Sequence, residues 1–165
     1  MKRWEKGFTL LEMLIVLAIT GVIVGPLTMA TISLLTNPQR SADLNVVLSQ
    51  VQSAGHWISR DVQMSRTVTP GGSTGLEPLT LTIPVSDDAN DDLTVKYLFD
   101  GNKLKREVRD ASTLISETLI ANFVDTADTS FVDLGSGLYK LTIKASRSET
   151  AITRGYEVGQ RVSPF

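Results

Sequence analysis

Between Gly7 and Leu35 the chain reads GFTLLEMLIVLAITGVIVGPLTMATISLL, with Glu12 as its one ionisable residue and no other until Arg40. At ~1.5 Å per residue, the 28 residues from Phe8 to Leu35 make a helix of ~42 Å, enough to cross a hydrocarbon core of ~30 Å. This segment belongs in a membrane. Ahead of it, Lys2, Arg3 and Lys6 outweigh Glu5, and the positive-inside tendency puts that leader on the cytoplasmic side and the rest of the chain outside. An ordinary secretory signal fits less well, because the apolar run is too long, a glutamate interrupts it, and Thr28-Met29-Ala30 is a poor cleavage site.

A carboxylate at bilayer depth costs roughly 2.5 to 3.5 kcal/mol on insertion scales, so Glu12 needs a partner or a place near the headgroups. Thr9-Leu10-Leu11-Glu12 has the T-x-x-E spacing of a capping box, which would account for Glu12 locally. It leaves the Lys6-Gly7-Phe8 context unexplained. The run K-G-F-T-L-L-E, with Gly7 closing a short basic leader and Glu12 five residues later, resembles the recognition motif of type IV prepilins, a family that includes the pseudopilins of secretion and competence systems. The resemblance covers Lys6 to about Gly25. It implies cleavage after Gly7 by a membrane prepilin peptidase and N-methylation of Phe8. It also implies that Glu12 pairs with the terminal amine of a neighbouring subunit and so sets axial register, an arrangement in which two costly charges become tolerable together.

Within the span, Gly21 and Gly25 form a G-x-x-x-G pair that permits close approach of another helix. Pro26 follows and removes a backbone donor, so a kink or a melted turn is expected at Gly25-Pro26. Pilin-like helices resemble this in carrying helix breakers in the membrane half. Asn37-Pro38 marks a second irregularity, after which Leu44, Val47, Leu48, Val51, Ala54, Ile58 and Val62 recur at helical spacing. One helix from Phe8 to about Ser65 follows, ending near Thr67 to Pro70. Trp57-Ile58-Ser59-Arg60-Asp61-Val62 is similar to the equivalent region of J-type minor pseudopilins.

After Pro70-Gly71-Gly72-Ser73-Thr74-Gly75, read as a loop, the period changes to two. Leu79 to Ile83 alternates, Leu93 to Phe99 and Leu104 to Val108 flank an Asp100-Gly101-Asn102 turn, and Leu138 to Ala145 alternates again. Thr113 to Phe123 reads as a short strand or edge segment, and Tyr156 to Val162 as a last strand. The expected fold is α+β and pilin-like: a long N-terminal helix, half membrane-embedded and half amphipathic, packed on a C-terminal antiparallel β-sheet. The expected organisation is a leader at 1–7, a transmembrane helix at 8–36, an amphipathic helix at 37–69 and a β-rich domain at 70–165.

Site chemistry is sparse. There is no cysteine, and His56 is the only histidine, so neither thiol chemistry nor a histidine-based metal cluster is available. Asp61 lies five residues from His56 with no nucleophile motif around them. Asp88, Asn90 and Asp92 are spaced as calcium ligands are, but without the glycine and distal glutamate of an EF-hand loop; a solvated acidic turn is the simpler reading, and no cofactor is expected. Lys103, Lys105, Arg106 and Arg109 form a basic patch on the hairpin, read as a solvated strand face, or else as a contact for an acidic neighbour or DNA. The chain carries −2 overall, and −4 once a leader of net +2 is removed, which argues against general nucleic-acid affinity.

The expected function is that of a minor pilin or pseudopilin, a structural subunit and not an enzyme. Its partners would be prepilin peptidase, other pilin-like subunits and membrane lipid. It would sit in the cytoplasmic membrane as a single-pass protein and then move into a pilus or pseudopilus. The alternatives are an uncleaved single-pass protein with an extracytoplasmic binding domain, and a secreted enzyme, for which no catalytic constellation is visible.

Overall fold

The computed structural model describes residues 9–86 and 91–161, without the side chains of 36–38. One helix, α1 (Leu10–Met64), precedes eight strands, and the chain divides after Ser41 into two compact units.

The first unit contains the N-terminal part of α1. Every described side chain from Thr9 to Leu35 is exposed. The helix continues through Gly25 and Pro26, so no turn melts there: Pro26 withdraws one donor, and the bonds on either side suffice to carry the helix past it. It likewise runs through Asn37 and Pro38.

The second unit is built on the C-terminal part of α1, where Val47, Val51, Ala54, Ile58 and Val62 are fully buried on one face. Each such valine or isoleucine contributes roughly 1.5 to 3 kcal/mol by leaving water. Leu44, expected on that face, is exposed. Sheet A has the order β1 (Thr67–Gly71), β2 (Gly75–Ile83), β3 (Leu93–Asp100), β4 (Lys103–Asp110), β5 (Thr113–Ala121), and sheet B the order β6 (Ser130–Gly135), β7 (Leu138–Arg147), β8 (Thr150–Gly159). All pairings are antiparallel.

Three expectations need correcting. The β-structure is two sheets, because Asn122 to Thr129 leaves sheet A after β5 and turns across, with Val124 bridging Ala145 and the Ser146 amide donating to the Phe123 carbonyl at 2.8 Å. Thr67 to Gly71 is a strand, not the fraying end of the helix: Thr67, Val68 and Thr69 pair with Thr82, Leu81 and Thr80. Gly75 is not loop but the first residue of β2. There, at φ +79°, a side chain would collide with the Phe131 carbonyl, so only glycine lets the two sheets meet.

The core joins α1 to both sheets through Leu79, Leu81, Val95, Tyr97 and Leu104 of sheet A and Phe131, Leu141, Ile143 and Val158 of sheet B. Gly55 permits a close approach of α1 to β8, since a side chain there would strike the ring of Tyr156, whose hydroxyl donates to the Val51 carbonyl at 3.3 Å. The helix ends against Gln160, whose amide nitrogen donates to the Ser65 and Arg66 carbonyls, each at 2.8 Å. Those carbonyls lie just past the helix; within its last turn the Gln63 carbonyl accepts from the Arg161 amide at 3.3 Å and the Val62 carbonyl from Ser65 Oγ at 2.8 Å.

Candidate functional site

Gly7 and Phe8, the expected cleavage and methylation positions, lie outside the described residues. Thr9 is the first residue placed, and it caps α1: the Glu12 amide donates to Thr9 Oγ1 at 3.3 Å and to the Thr9 carbonyl at 3.1 Å. This is half of the capping box that the T-x-x-E spacing allows. Among the described residues, the Glu12 carboxylate itself has no hydrogen-bond or ion-pair partner. Glu12 stands exposed in the first turn of α1.

The segment from Leu10 onward is long and apolar enough to cross a membrane, and none of it is buried within the chain. Three of its hydroxyls are satisfied from within. Thr20, Thr28 and Thr31 donate to the carbonyls of Val16, Val24 and Leu27 at 2.7, 2.9 and 2.9 Å, which removes hydroxyls that lipid would leave unpaired. Gly21 and Gly25 have open space around them: a side chain on either would meet nothing within 4 Å. Among the described residues, none occupies the flat surface they make.

In the second unit the candidates read from the sequence resolve differently. His56 is exposed on the helix, as a solvent-facing histidine. Asp61 is buried, and it anchors a network: Arg106 donates from Nε to Oδ2 at 2.6 Å and from Nη2 to Oδ1 at 3.2 Å, and the Tyr97 hydroxyl donates to Oδ2 at 2.7 Å. Arg106 also lies over the Trp57 ring at 5.2 Å, with Arg60 over the same ring at 5.9 Å. Trp57 and Asp61, one turn apart, thus hold one arginine of β4 between them. Burial, together with the Asp61 charge and hydrogen bond, pushes the Tyr97 hydroxyl well above its ordinary range. For Arg106 burial works against the charge and the Asp61 hydrogen bond outweighs it, so its net direction is up.

The four residues of the basic patch do not share one face. Arg106 faces inward with Leu104. Lys105 bridges Asp100 at 2.9 Å and Glu117 at 3.0 Å, and Arg109 pairs with Glu107 at 2.7 Å. Hydrogen bonds from Asp100 and Glu117 push the Lys105 ammonium up to about 12. Lys103, the remaining residue of the patch, is exposed at the start of β4.

Of the calcium-like triad, Asp88 and Asn90 lie outside the described residues, while Asp92 is nearly buried and bonded to Arg66 at 3.2 Å. Among the described residues no group of three or more histidine or acidic side chains is placed to hold a metal ion.

The Asp61–Arg106–Tyr97 network was not foreseen, though a signal existed. Alternation from Leu104 turns Arg106 to the core side, and helical spacing from Ile58 turns Asp61 to the buried face; a buried cation requires such a carboxylate.

No curated protein and no solved structure matches the chain. Residues 5–28 match the family described as the prokaryotic N-terminal methylation motif, a match that ends three residues past Gly25. That family is structural rather than catalytic. The chain thus carries, at the head of a long outward-facing helix, the N-terminal methylation motif of type IV prepilins and pseudopilins.

Proposed function

We propose that the protein is a minor pilin or pseudopilin: a subunit cut after Gly7 by prepilin peptidase, methylated on Phe8, held in the cytoplasmic membrane, and drawn from it into a filament of a pilus, secretion or competence system. It acts as a structural element and as the substrate of an enzyme, not as an enzyme. The observation that carries this reading is the methylation motif at residues 5–28 joined to a helix with no buried side chain from Leu10 to Leu35. Such a surface is stable only in lipid or against other helices, and a subunit that moves between the two uses both.

In this reading Glu12 meets the terminal amine of a neighbour, and the Gly21–Gly25 surface takes an adjacent helix. Gly25-Pro26 is the place where α1 yields when it leaves the bilayer. The favoured minor, J-type assignment rests on the resemblance of Trp57 to Val62, and two of these residues, Trp57 and Asp61, hold Arg106 of the β-domain.

The absence of cysteine makes the test direct. Ile19→Cys in the full chain, expressed in its native host and oxidised in the membrane, is expected to crosslink to cysteine-bearing copies of other subunits that carry the methylation motif. A helix that reacts only with lipid-phase probes, and never with such subunits, would contradict the assignment.

A further inference from the structure

Arg40 closes the longest uncharged stretch of the chain. Met13 to Gln39 is 27 residues without an ionisable group, and α1 runs through it unbroken. At ~1.5 Å per residue that stretch is ~40 Å long, some ~10 Å more than a hydrocarbon core needs. The 28 steps from Glu12 to Arg40 make ~42 Å, against about 40 to 45 Å for a bilayer with both headgroup layers. With Glu12 in one headgroup layer, Arg40 reaches the other.

Apolar length alone does not hold such a helix in place, because an over-long span can tilt or slide. What holds it are tryptophan, tyrosine, lysine and arginine side chains at the interface. From Thr9 to His56 the chain has no aromatic residue and no lysine, and Arg40 is its one arginine. At this end of the span a single side chain is left for the task.

Nothing in the chain neutralises it. Arg40 is exposed, and among the described residues it makes no hydrogen bond or ion pair. The carboxylate three residues on, at the spacing where helix side chains meet, is Asp43, which instead takes Arg147 Nε on its Oδ1 at 3.2 Å. A guanidinium is a flat fork of donors, weakly hydrated and matched to the oxygens of a phosphate. The anion that a bilayer offers at that depth is the headgroup phosphodiester.

We propose that Arg40 is a lipid-phosphate site, its guanidinium holding a headgroup phosphate and so pinning the end of the span away from the leader to the headgroup layer. The proposal rests on the membrane-anchored reading above and adds a lipid contact to it.

Solid-state NMR tests it on the full chain, labelled with ¹³C at arginine, in vesicles of phosphatidylglycerol and phosphatidylethanolamine. The coupling between arginine Cζ and lipid phosphorus reads the contact. Part of the arginine signal is expected to be dephased by phosphorus; Arg40→Gln should lose the Arg40 share of that part, and Arg154→Gln, at an exposed position of β8, should lose none. Equal dephasing in parent and Arg40→Gln, with an Ile19→Cys thiol shielded from a membrane-impermeant maleimide, overturns the phosphate site and leaves the membrane reading intact. A thiol at that position that reacts freely overturns the membrane reading itself. The same Arg40-dependent coupling in a phosphate-free detergent with inorganic phosphate alone would mark a site for free anions and also overturn the assignment to lipid.

Discussion

Helix α1 serves two units with opposite demands. Up to Leu35 it buries nothing, its threonines turn inward to their own backbone, and its glycines face empty space. From Val47 to Val62 the same helix loses one whole face to two sheets and carries a buried ion pair. The first region is completed only by other molecules; the second is complete in itself. Substitutions in the second should therefore cost stability, and substitutions in the first should leave stability alone and act on assembly.

The largest loss is expected from Asp61→Ala. It leaves Arg106 and the Tyr97 hydroxyl without their acceptor, and removing one partner of a buried pair costs about 3 to 5 kcal/mol. Thermal or denaturant unfolding of the full chain in detergent should show it, and a loss below about 1 kcal/mol would mean that the pair is solvated. Gly55→Ala comes next, at roughly 1 to 3 kcal/mol, because the added methyl meets the Tyr156 ring and one partner must move. The double variant Gly55→Ala/Tyr156→Ala should lose less than the sum of the two single changes.

The response to pH is smaller and has a definite sign. Tyr97 is raised from its ordinary 10.0 by burial and by Asp61, and Lys105 from 10.5 to about 12 by Asp100 and Glu117. Groups raised on folding give stability that is fully present below the unfolded value and lost as pH climbs. Stability should thus fall above pH 10, and Tyr97→Phe should flatten the first part of that fall. At the other end, the hydrogen bond from Lys105 holds Asp100 below its ordinary 3.8, so its contribution is present above that value and disappears in stronger acid. A melting temperature that rises above pH 10 would contradict this assignment.

The smallest effect on stability belongs to Glu12→Gln and Gly25→Leu. Glu12 is exposed and Gly25 has open space around it, so both variants should unfold within about 0.5 kcal/mol of the parent. Both should nonetheless reduce crosslinking through Ile19→Cys, Glu12→Gln by removing the charge that a neighbour's amine meets, and Gly25→Leu by filling the flat surface.

How much of this was legible in the sequence follows the same division. The helix was readable almost to its ends, Phe8 to about Ser65 against Leu10–Met64, because hydropathy and then helical periodicity are local signals. The β3–β4 hairpin was equally plain, since Asp100-Gly101-Asn102 punctuates two alternating runs. Strand β1 was hidden because Pro70 and the glycines around it read as loop, and only pairing with β2 makes Thr67 to Thr69 extended. Strand β6 is short, with only Phe131 buried, too little alternation to register. Asp61 and Arg106 are 45 residues apart, and nothing between them records that they meet. The Glu12 site is the reverse case: the motif is legible from residues, while its partner lies outside this chain.

The account stands first on maturation, and the intact mass and N-terminal sequence of the protein from its native host membrane address that most directly. It predicts a chain that begins at Phe8 and carries one added methyl group. A chain that still begins at Met1 would contradict it and make the protein a permanently anchored binding module, and one that begins near Thr31 would make it a secreted protein released by an ordinary signal.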